Sequence, residues 1–220
     1  MTELSGPSTP PEAGGAPRQL VVLLHGVGAD GNDLINLSQT MGKSLPHARF
    51  VAPNGPEACD MAPMGYQWFS LQERDPKTML AGIQQSVPLL NAFIDAELAK
   101  DSLEDKDLAL LGFSQGTMMS LYTAPRRAKQ MAGVLGYSGA LLGGETLATE
   151  ATSKPPTFLI HGDADPVVPI QAMHAAVAGL EAAGIPVHSN IRPGVPHGID
   201  PEGMAYGAAF LAKVFGQGDA

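Results

Sequence analysis

The sequence predicts an α/β fold in which a doubly wound, mostly parallel sheet carries helices on both faces. Continuous apolar runs of strand length recur along the 220 residues, beginning with Leu20-Val21-Val22-Leu23-Leu24. Such runs are typical of strands that are buried on both faces of a parallel sheet. Stretches able to form helices alternate with these runs, and this alternation is typical of a sheet built from strand–helix–strand units.

Each element follows from its local pattern. Short apolar runs predict the strands, and longer stretches with helical spacing of apolar residues predict the helices. Pro88 falls inside the longest predicted helix and should kink it there. Stretches 53–77 and 139–156 are rich in Gly, Pro or small polar residues and are predicted to be loops. The predicted strands are 20–24, 48–52, 107–111, 133–137, 157–161 and 186–192, and the predicted helices are 32–45, 78–100, 117–124, 170–183 and 201–215.

Both ends of the chain are expected to be tails around a single domain. Residues 1–17 hold four prolines and few large apolar side chains. Such a segment buries too little surface to offset its conformational entropy, so we expect a flexible N-terminal tail. Residues 18–216 are expected to form one domain, and 217–220 a short C-terminal tail.

Charge and cysteine content exclude several classes of protein. The net charge of −9 disfavours nucleic acid as a partner, because binding to phosphates needs clustered Lys and Arg. Cys59 is the only cysteine, so an intrachain disulfide is excluded and a cytoplasmic location is expected. Neither a signal peptide nor a run of about 18 apolar residues is evident, which disfavours a membrane span.

The most informative motif is Gly112-Phe113-Ser114-Gln115-Gly116. It follows a predicted strand and precedes a predicted helix. Strand, G-x-S-x-G and helix together describe a nucleophile elbow, a tight turn that presents a serine hydroxyl above a sheet. The motif therefore predicts a serine hydrolase with Ser114 as its nucleophile.

A serine nucleophile needs a histidine to take its proton and a carboxylate to orient that histidine. In this type of fold the acid and then the histidine follow the serine along the chain. Asp163 and Asp165 both follow the strand 157–161, and His197 lies between the last predicted strand and helix. Either aspartate satisfies this order. His25 and His161 each end an apolar strand before a glycine, where we expect hydrogen-bonded supporting roles.

Two backbone N–H groups are expected to stabilise the oxyanion of the transition state. The elbow provides the N–H of Gln115. The second should come from the loop after the first strand, which is rich in glycine and can turn its backbone towards the site. We assign this donor to Val27.

The loop 53–77 carries apolar residues that allow two interpretations. Trp68, Phe69 and Leu71 could line a substrate groove, since loops often carry binding residues. They could equally cover the edge of the core. An exposed apolar loop would also be compatible with a homodimer. The six histidines show none of the spacings typical of zinc sites.

Four strings in order resemble the carboxylesterase and acyl-protein thioesterase family, also called the phospholipase/carboxylesterase family. They are LHGVGADGND, GFSQG, HGDADPVVP and PHG, beginning at residues 24, 112, 161 and 196. The resemblance spans residues 19–215 and implies an α/β-hydrolase fold with no large lid domain. It also implies hydrolysis of carboxylic esters or thioesters without a metal or organic cofactor.

Matched motif by motif, the resemblance implies a specific set of site residues. It favours Asp165 over Asp163 as the triad acid, and it relates Trp68-Phe69 to the aromatic pair of the family's acyl-binding loop. Thr117 stands where many members have glycine, and Ser70 where many have aspartate. The implied catalytic and oxyanion residues are Ser114, Asp165, His197, Val27 and Gln115.

The function predicted from the sequence is that of a carboxylesterase that acts on small to medium acyl esters. An acyl-protein thioesterase or a lysophospholipase would use the same triad, and sequence does not separate these substrates. A non-catalytic binding protein on the same fold is the alternative from another class. Its weakness is that the serine, the acid and the histidine are all present.

Overall fold

The computed structural model describes residues 3–217, which build a seven-stranded sheet and a separate two-stranded one. The strands are β1 (Ser8–Thr9), β2 (Gln19–Leu24), β3 (Ala48–Val51), β4 (Glu57–Ala58), β5 (Tyr66–Gln67), β6 (Leu108–Phe113), β7 (Gly133–Tyr137), β8 (Thr157–Gly162) and β9 (Val187–Arg192). The helices are α1 (Gly31–Ile35), α2 (Ser38–Met41), α3 (Pro76–Asp101), α4 (Gln115–Arg126), α5 (Gly144–Glu150), α6 (Gln171–Ala182) and α7 (Pro201–Val214), and a 3₁₀ turn spans Asp105–Asp107.

The large sheet has the order β1-β3-β2-β6-β7-β8-β9. All neighbours from β3 to β9 pair in parallel, and β1 pairs antiparallel with β3. This arrangement confirms the predicted doubly wound, mostly parallel sheet. The short strands β4 and β5 form a hairpin-like pair inside the predicted loop 53–77.

Side chains of the central strands alternate between two cores on opposite faces of the sheet. In β2, Leu20 and Val22 face the core that includes α3, α4, α5 and α6, whereas Val21 and Leu23 face the core that includes α1, α2 and α7. All four side chains are fully buried. Burial on both faces explains why these strands are apolar without interruption.

Two helical predictions needed correction. The predicted helix 32–45 is two short helices, α1 and α2. The hydroxyl of Ser38, the first residue of α2, donates to the carbonyl of Ile35, the last residue of α1, at 2.6 Å. A serine that bonds to nearby backbone competes with the regular helical pattern. Helix α5 lies inside the predicted loop 139–156, where Leu147 is its buried contact with the core. Helix α3 continues through Pro88.

The N-terminal segment departs from the flexible tail that its composition predicts. From residue 3 it lies along the sheet edge, where β1 pairs with β3 and the carbonyls of Pro7 and Ser5 accept from the N–H groups of Ala52 and Asn54. Leu4 is buried. These contacts are mostly backbone hydrogen bonds, which composition does not reveal. Of the predicted C-terminal tail, all but Gln217 lies outside the described residues, and the single domain at 18–216 stays a prediction.

None of the helices within residues 3–217 combines the length and apolar character that a bilayer crossing requires.

Candidate active site

Ser114 occupies a strained turn between β6 and α4. Its backbone angles are φ 53° and ψ −114°, a region that residues other than glycine rarely adopt. Its N–H donates to the carbonyl of Tyr137 on β7 at 2.9 Å, which holds the turn against the neighbouring strand. The Thr117 hydroxyl donates to the same carbonyl at 2.8 Å. This geometry is that of the predicted elbow.

The two glycines of the elbow are required by close backbone approaches. A Cβ at Gly112 would lie 2.4 Å from the carbonyl carbon of Gly116 across the turn. A Cβ at Gly116 would lie 1.8 Å from the carbonyl oxygen of Leu24 at the end of β2. Neither position has room for a side chain, so the motif follows from the packing of the first turn of α4 against the sheet.

Asp165 and His197 form a hydrogen-bonded pair at the carboxyl end of the sheet. His197 Nδ1 lies 2.7 Å from Asp165 Oδ2. The other carboxylate oxygen, Oδ1, accepts from the N–H groups of Val167 and Val168 at 2.8 and 2.9 Å. Because the carboxylate only accepts when ionised, Nδ1 carries the proton, and Nε2 of a neutral His197 is left able to accept one.

Burial and hydrogen bonding act in opposite directions on Asp165. Burial raises the pKa of its carboxyl group, but the hydrogen bonds from His197, Val168 and Val167 outweigh this, and the net pKa lies below the ordinary value. The Asp165 side chain is 0% exposed and that of His197 is 17% exposed. The Asp165 carboxylate is therefore ionised and shielded, while the His197 imidazole remains accessible.

Asp163 serves the histidine loop in a different way. Its side chain is exposed, and Oδ1 accepts from the N–H of Gly194 at 2.6 Å. It thus stabilises the turn that follows β9. Of the two aspartates that the sequence left open, the structure pairs Asp165 with His197.

Contacts at both ends hold the loop that carries His197 in place. Arg192 at the end of β9 pairs with Asp200, the N-cap of α7, at 2.9 Å. A Cβ at Gly162 would lie 2.0 Å from the carbonyl oxygen of Val195, so the loop also packs closely on the end of β8. These contacts restrict where the imidazole can lie.

The imidazole of His197 lies beside the elbow. Its ring centroid is 4.9 Å from that of Phe113, the residue directly before Ser114. The hydrogen bonds within residues 3–217 do not include one between Ser114 Oγ and His197 Nε2. Without substrate, contacts of this kind are often long and tighten only when substrate binds.

The two assigned oxyanion donors have N–H groups without a protein partner in residues 3–217. Within the described part of the chain, neither the Val27 nor the Gln115 N–H donates to a protein acceptor. A Cβ at Gly26 would lie 3.3 Å from Ser114 Cβ, so the residue before Val27 lies directly against Ser114. Both N–H groups are therefore available to an acceptor outside the protein, and their role as oxyanion donors stays a prediction.

The side chain of Gln115 connects the elbow to the aromatic loop. Its Oε1 accepts from the Trp68 N–H at 2.9 Å, and its Nε2 donates to the Phe69 carbonyl at 2.7 Å. Trp68 Nε1 in turn donates to the carbonyl of His25 at 3.0 Å. Sequence reasoning assigned only the Gln115 backbone a role, because its side-chain partners are 46 and 47 residues away.

The structure favours a core role for the aromatic loop. Trp68, Phe69 and Leu71 are 0%, 2% and 8% exposed, and all three belong to the core on the α3 face. Their apolar surface is therefore turned into the protein rather than into an open groove. Their proposed contact with substrate stays a prediction.

The two supporting histidines are both hydrogen-bonded, as their positions at strand ends predict. His25 is fully buried, its Nε2 accepts from the N–H of Gly55 at 2.8 Å, and burial lowers its pKa. His161 Nε2 lies 2.8 Å from the Val168 carbonyl and 3.3 Å from Asp165 Oδ2. Since a carbonyl only accepts, Nε2 of His161 carries a proton and lies close enough to support the Asp165 carboxylate.

A cavity of about 210 Å³ adjoins the elbow. Most of its walls are apolar, and its polar members are the buried His25 and the exposed Asp33. Residues 3–217 contain no group of three or more His, Cys, Asp or Glu arranged to hold a metal ion. The residues that line the cavity are His25, Gly26, Ala29, Asp33, Leu34, Phe113 and Ile199.

Comparison with known proteins finds a family and several relatives that match most of this chain. The family model for phospholipase/carboxylesterase matches residues 11–215. The solved structure of esterase PE8 is 41% identical, has a TM-score of 0.92 and covers 97% of this chain and 100% of its own. Acyl-protein thioesterase 1 of Mycosarcoma maydis is 31% identical, with 93% of this chain and 94% of the relative covered. Esterase YpfH of Escherichia coli is 28% identical, with 86% and 80% covered.

Proposed function

Because the chain belongs to the phospholipase/carboxylesterase family of hydrolases, we propose that it cleaves carboxylic esters of small to medium acyl chains through an acyl-enzyme on Ser114. The observation that supports particular residues for this activity is the Asp165–His197 pair beside the elbow. A hydroxyl is a weak nucleophile until an adjacent base takes its proton. The pair provides that base in the required tautomer.

In the first half-reaction the Ser114 oxygen attacks the ester carbonyl while His197 Nε2 takes the hydroxyl proton. The carbonyl oxygen becomes an oxyanion between the N–H groups of Val27 and Gln115. Loss of one such donor commonly costs roughly 3–4 kcal/mol of transition-state stabilisation. When the carbon–oxygen bond to the alcohol breaks, His197 returns the proton to the leaving oxygen.

In the second half-reaction water replaces the alcohol. His197 takes a proton from water, and the resulting hydroxide attacks the acyl-enzyme. The tetrahedral intermediate collapses, the bond to Ser114 breaks and the serine oxygen regains its proton. Asp165 remains ionised throughout and stabilises the imidazolium that forms in each half.

Two observations favour a carboxylesterase over a thioesterase that acts on long acyl chains. Esterase PE8 is 41% identical to this chain, whereas the acyl-protein thioesterase of Mycosarcoma maydis is 31% identical. The Trp68, Phe69 and Leu71 side chains are also buried and offer little free apolar surface to a long chain. A panel of aryl esters of increasing acyl length, with a palmitoyl thioester and a lysophospholipid, tests this preference.

Replacement of Ser114 tests the mechanism. We expect Ser114→Ala to abolish ester hydrolysis and labelling by a fluorophosphonate, which reacts only with an activated serine. Ser189→Ala is a matched control, because Ser189 is exposed on β9. Turnover above a few per cent in folded Ser114→Ala would contradict the assignment. A folded parent protein that takes no label would instead favour the binding-protein alternative.

We further propose that the enzyme is cytoplasmic, in line with the single cysteine. We also propose that it needs no cofactor. Fractionation of the source cell tests the location, and retention of ester hydrolysis in excess chelator tests the absence of a metal. We also propose a homodimer, which the exposed apolar side chains of Met61 and Met64 would support as contact residues. Sedimentation at several protein concentrations would show it or exclude it.

A further inference from the structure

We infer that the 210 Å³ cavity beside the elbow binds the alcohol group of the ester and selects small, uncharged apolar alcohols. The inference rests on the proposed ester hydrolysis. It concerns the alcohol half of the ester, which the family assignment does not specify. It follows from where the cavity lies, how large it is and which charges surround it. We call this cavity the alcohol pocket.

The alcohol pocket lies next to Ser114, although Ser114 is not among the residues that line it. Gly26 and Phe113 form part of its wall. A Cβ at Gly26 would lie 3.3 Å from Ser114 Cβ and 3.2 Å from Phe113 Cδ1, and Phe113 directly precedes Ser114 in the chain. Two residues of the pocket wall therefore adjoin Ser114, which brings the pocket close to a carbonyl that is bonded to Ser114.

Its position relative to His197 identifies which substituent enters. The pocket wall contains Phe113, whose ring lies 4.9 Å from that of His197, and Ile199, two residues beyond His197 in the same loop. His197 must deliver its proton to the departing alcohol oxygen, so the alcohol leaves on the side where the imidazole lies. The pocket on that side receives the alcohol, and the acyl chain extends elsewhere.

The volume sets the size of the group. A dry apolar cavity of about 150 Å³ in another protein holds one benzene molecule. A volume of about 210 Å³ therefore suits a phenyl or a short branched alkyl group. It is smaller than the roughly 300–1,000 Å³ that holds a drug-sized ligand. A large alcohol such as a protein or a glycerophosphate would have to lie mostly outside it.

The charge at the pocket disfavours anionic alcohols. Asp33 lines it and is exposed, and Asp30 lies close enough to act electrostatically on the His25 ring in the same wall. His25 is the one other titratable side chain that lines the pocket, and burial lowers its pKa, so it is neutral. A negatively charged alcohol would face Asp33 with no cation in the wall to balance it.

The chemistry separates the alcohol side from the acyl side. The bond from Ser114 to the acyl carbon forms, the bond to the alcohol oxygen breaks, and the alcohol departs with the proton from His197. All acetate esters thus give the same acetyl-enzyme. Discrimination between alcohols therefore arises in acylation, which kcat/KM reports, because deacylation is the same for all acetate esters.

The test varies one half of the ester at a time. Methyl acetate and benzyl acetate differ in the alcohol, and methyl acetate and methyl hexanoate differ in the acyl chain. We expect Ile199→Phe, which narrows the pocket, to lower the benzyl-to-methyl ratio of kcat/KM by about tenfold or more. Ile199→Ala, which widens it, should raise the ratio of 1-naphthylmethyl acetate to benzyl acetate. Neither variant should change the acetate-to-hexanoate ratio by more than about twofold.

Control variants separate the pocket from general effects. Ile191→Ala makes the same change on β9, where Ile191 is 44% exposed and outside the pocket, and should leave all ratios unchanged. Ala29→Leu narrows the pocket at another lining residue and replaces Ile199→Phe should that variant fail to fold. An unchanged benzyl-to-methyl ratio in the narrowed pocket, or a changed acetate-to-hexanoate ratio, would overturn the inference.

Substitution of Asp33 tests the charge. We expect Asp33→Asn to raise kcat/KM for 4-acetoxybenzoate, which releases an anionic alcohol, by about threefold or more relative to phenyl acetate at low salt, and less at high salt. An unchanged ratio would overturn the charge argument. Fluorophosphonate labelling of every variant keeps the two proposals distinct, because labelled enzyme with unchanged ratios refutes only the alcohol pocket.

Discussion

Gln115→Ala isolates the side chain that joins the elbow to the aromatic loop. The substitution removes the two buried hydrogen bonds to the Trp68 N–H and the Phe69 carbonyl, at 2.9 and 2.7 Å. The Gln115 backbone N–H, which we assign to the oxyanion, is retained. The variant therefore tests what the side chain contributes to the fold, separately from the proposed role of the backbone.

The magnitude follows from the two groups left behind. Each buried polar group without a partner costs about 1–3 kcal/mol, so the expected loss in free energy of unfolding is about 2–6 kcal/mol. A domain of ordinary stability has about 5–15 kcal/mol in total. Gln85→Ala is the matched control, because Gln85 is exposed on α3 and its loss should fall within about 0.5 kcal/mol.

The chain carries its own probe for this measurement. Trp68 is the only tryptophan, and it is fully buried in the loop that Gln115 holds. We expect urea unfolding followed by tryptophan fluorescence to show the loss, and the native emission maximum of Gln115→Ala to shift to longer wavelength. Circular dichroism should follow the sheet as a whole. A loss below about 1 kcal/mol with unchanged emission would refute the reasoning.

Three further predictions address the acid, the elbow and the aromatic loop. Because the net pKa of Asp165 is lowered, the carboxylate stabilises the fold above about pH 4, and this contribution is lost as the pH falls through the lowered pKa. The difference in free energy of unfolding between the parent protein and Asp165→Asn should therefore narrow at low pH. Parallel pH profiles of the two proteins would contradict this. Gly116→Ala should lower the free energy of unfolding in urea by about 1–3 kcal/mol or more, because its Cβ would lie 1.8 Å from the Leu24 carbonyl oxygen. This loss is expected although alanine favours helices. Gly198→Ala is the control, because a Cβ there meets nothing within 4 Å. Trp68→Ala should lower the free energy of unfolding by about 3–5 kcal/mol and leave the acetate-to-hexanoate ratio of kcat/KM unchanged. A changed ratio would instead support the interpretation that Trp68 lines a substrate groove.

The sheet and the elbow could be predicted because their signals are local. Strands buried on both faces must be apolar throughout, and the turn at Ser114 requires glycine on either side of it. The choice between Asp163 and Asp165 could not be made from spacing, because both lie on one short loop and differ in the direction of their side chains. That direction depends on the N–H groups of Val167 and Val168, which hold one oxygen of Asp165.

Other features depend on contacts between distant segments. The apolar character of Trp68 is equally compatible with a groove and with a core, and its burial depends on the elbow and on His25. The supporting position of His161 depends on how the loop after β8 turns back towards its own strand. Helix α5 is short and rich in small residues, so its own sequence gives little sign of a helix.

The N-terminal strand has a practical consequence for any shortened form of the protein. Composition suggests that residues before 18 can be deleted, yet β1 and the carbonyls of Ser5 and Pro7 occupy the outer edge of β3 and the segment after it. Deletion would uncover unpaired backbone groups beside the apolar side chains of Phe50 and Val51. An uncovered edge of this kind is a template for strand pairing between molecules, so a truncated enzyme should aggregate even though Ser114, Asp165 and His197 are all retained.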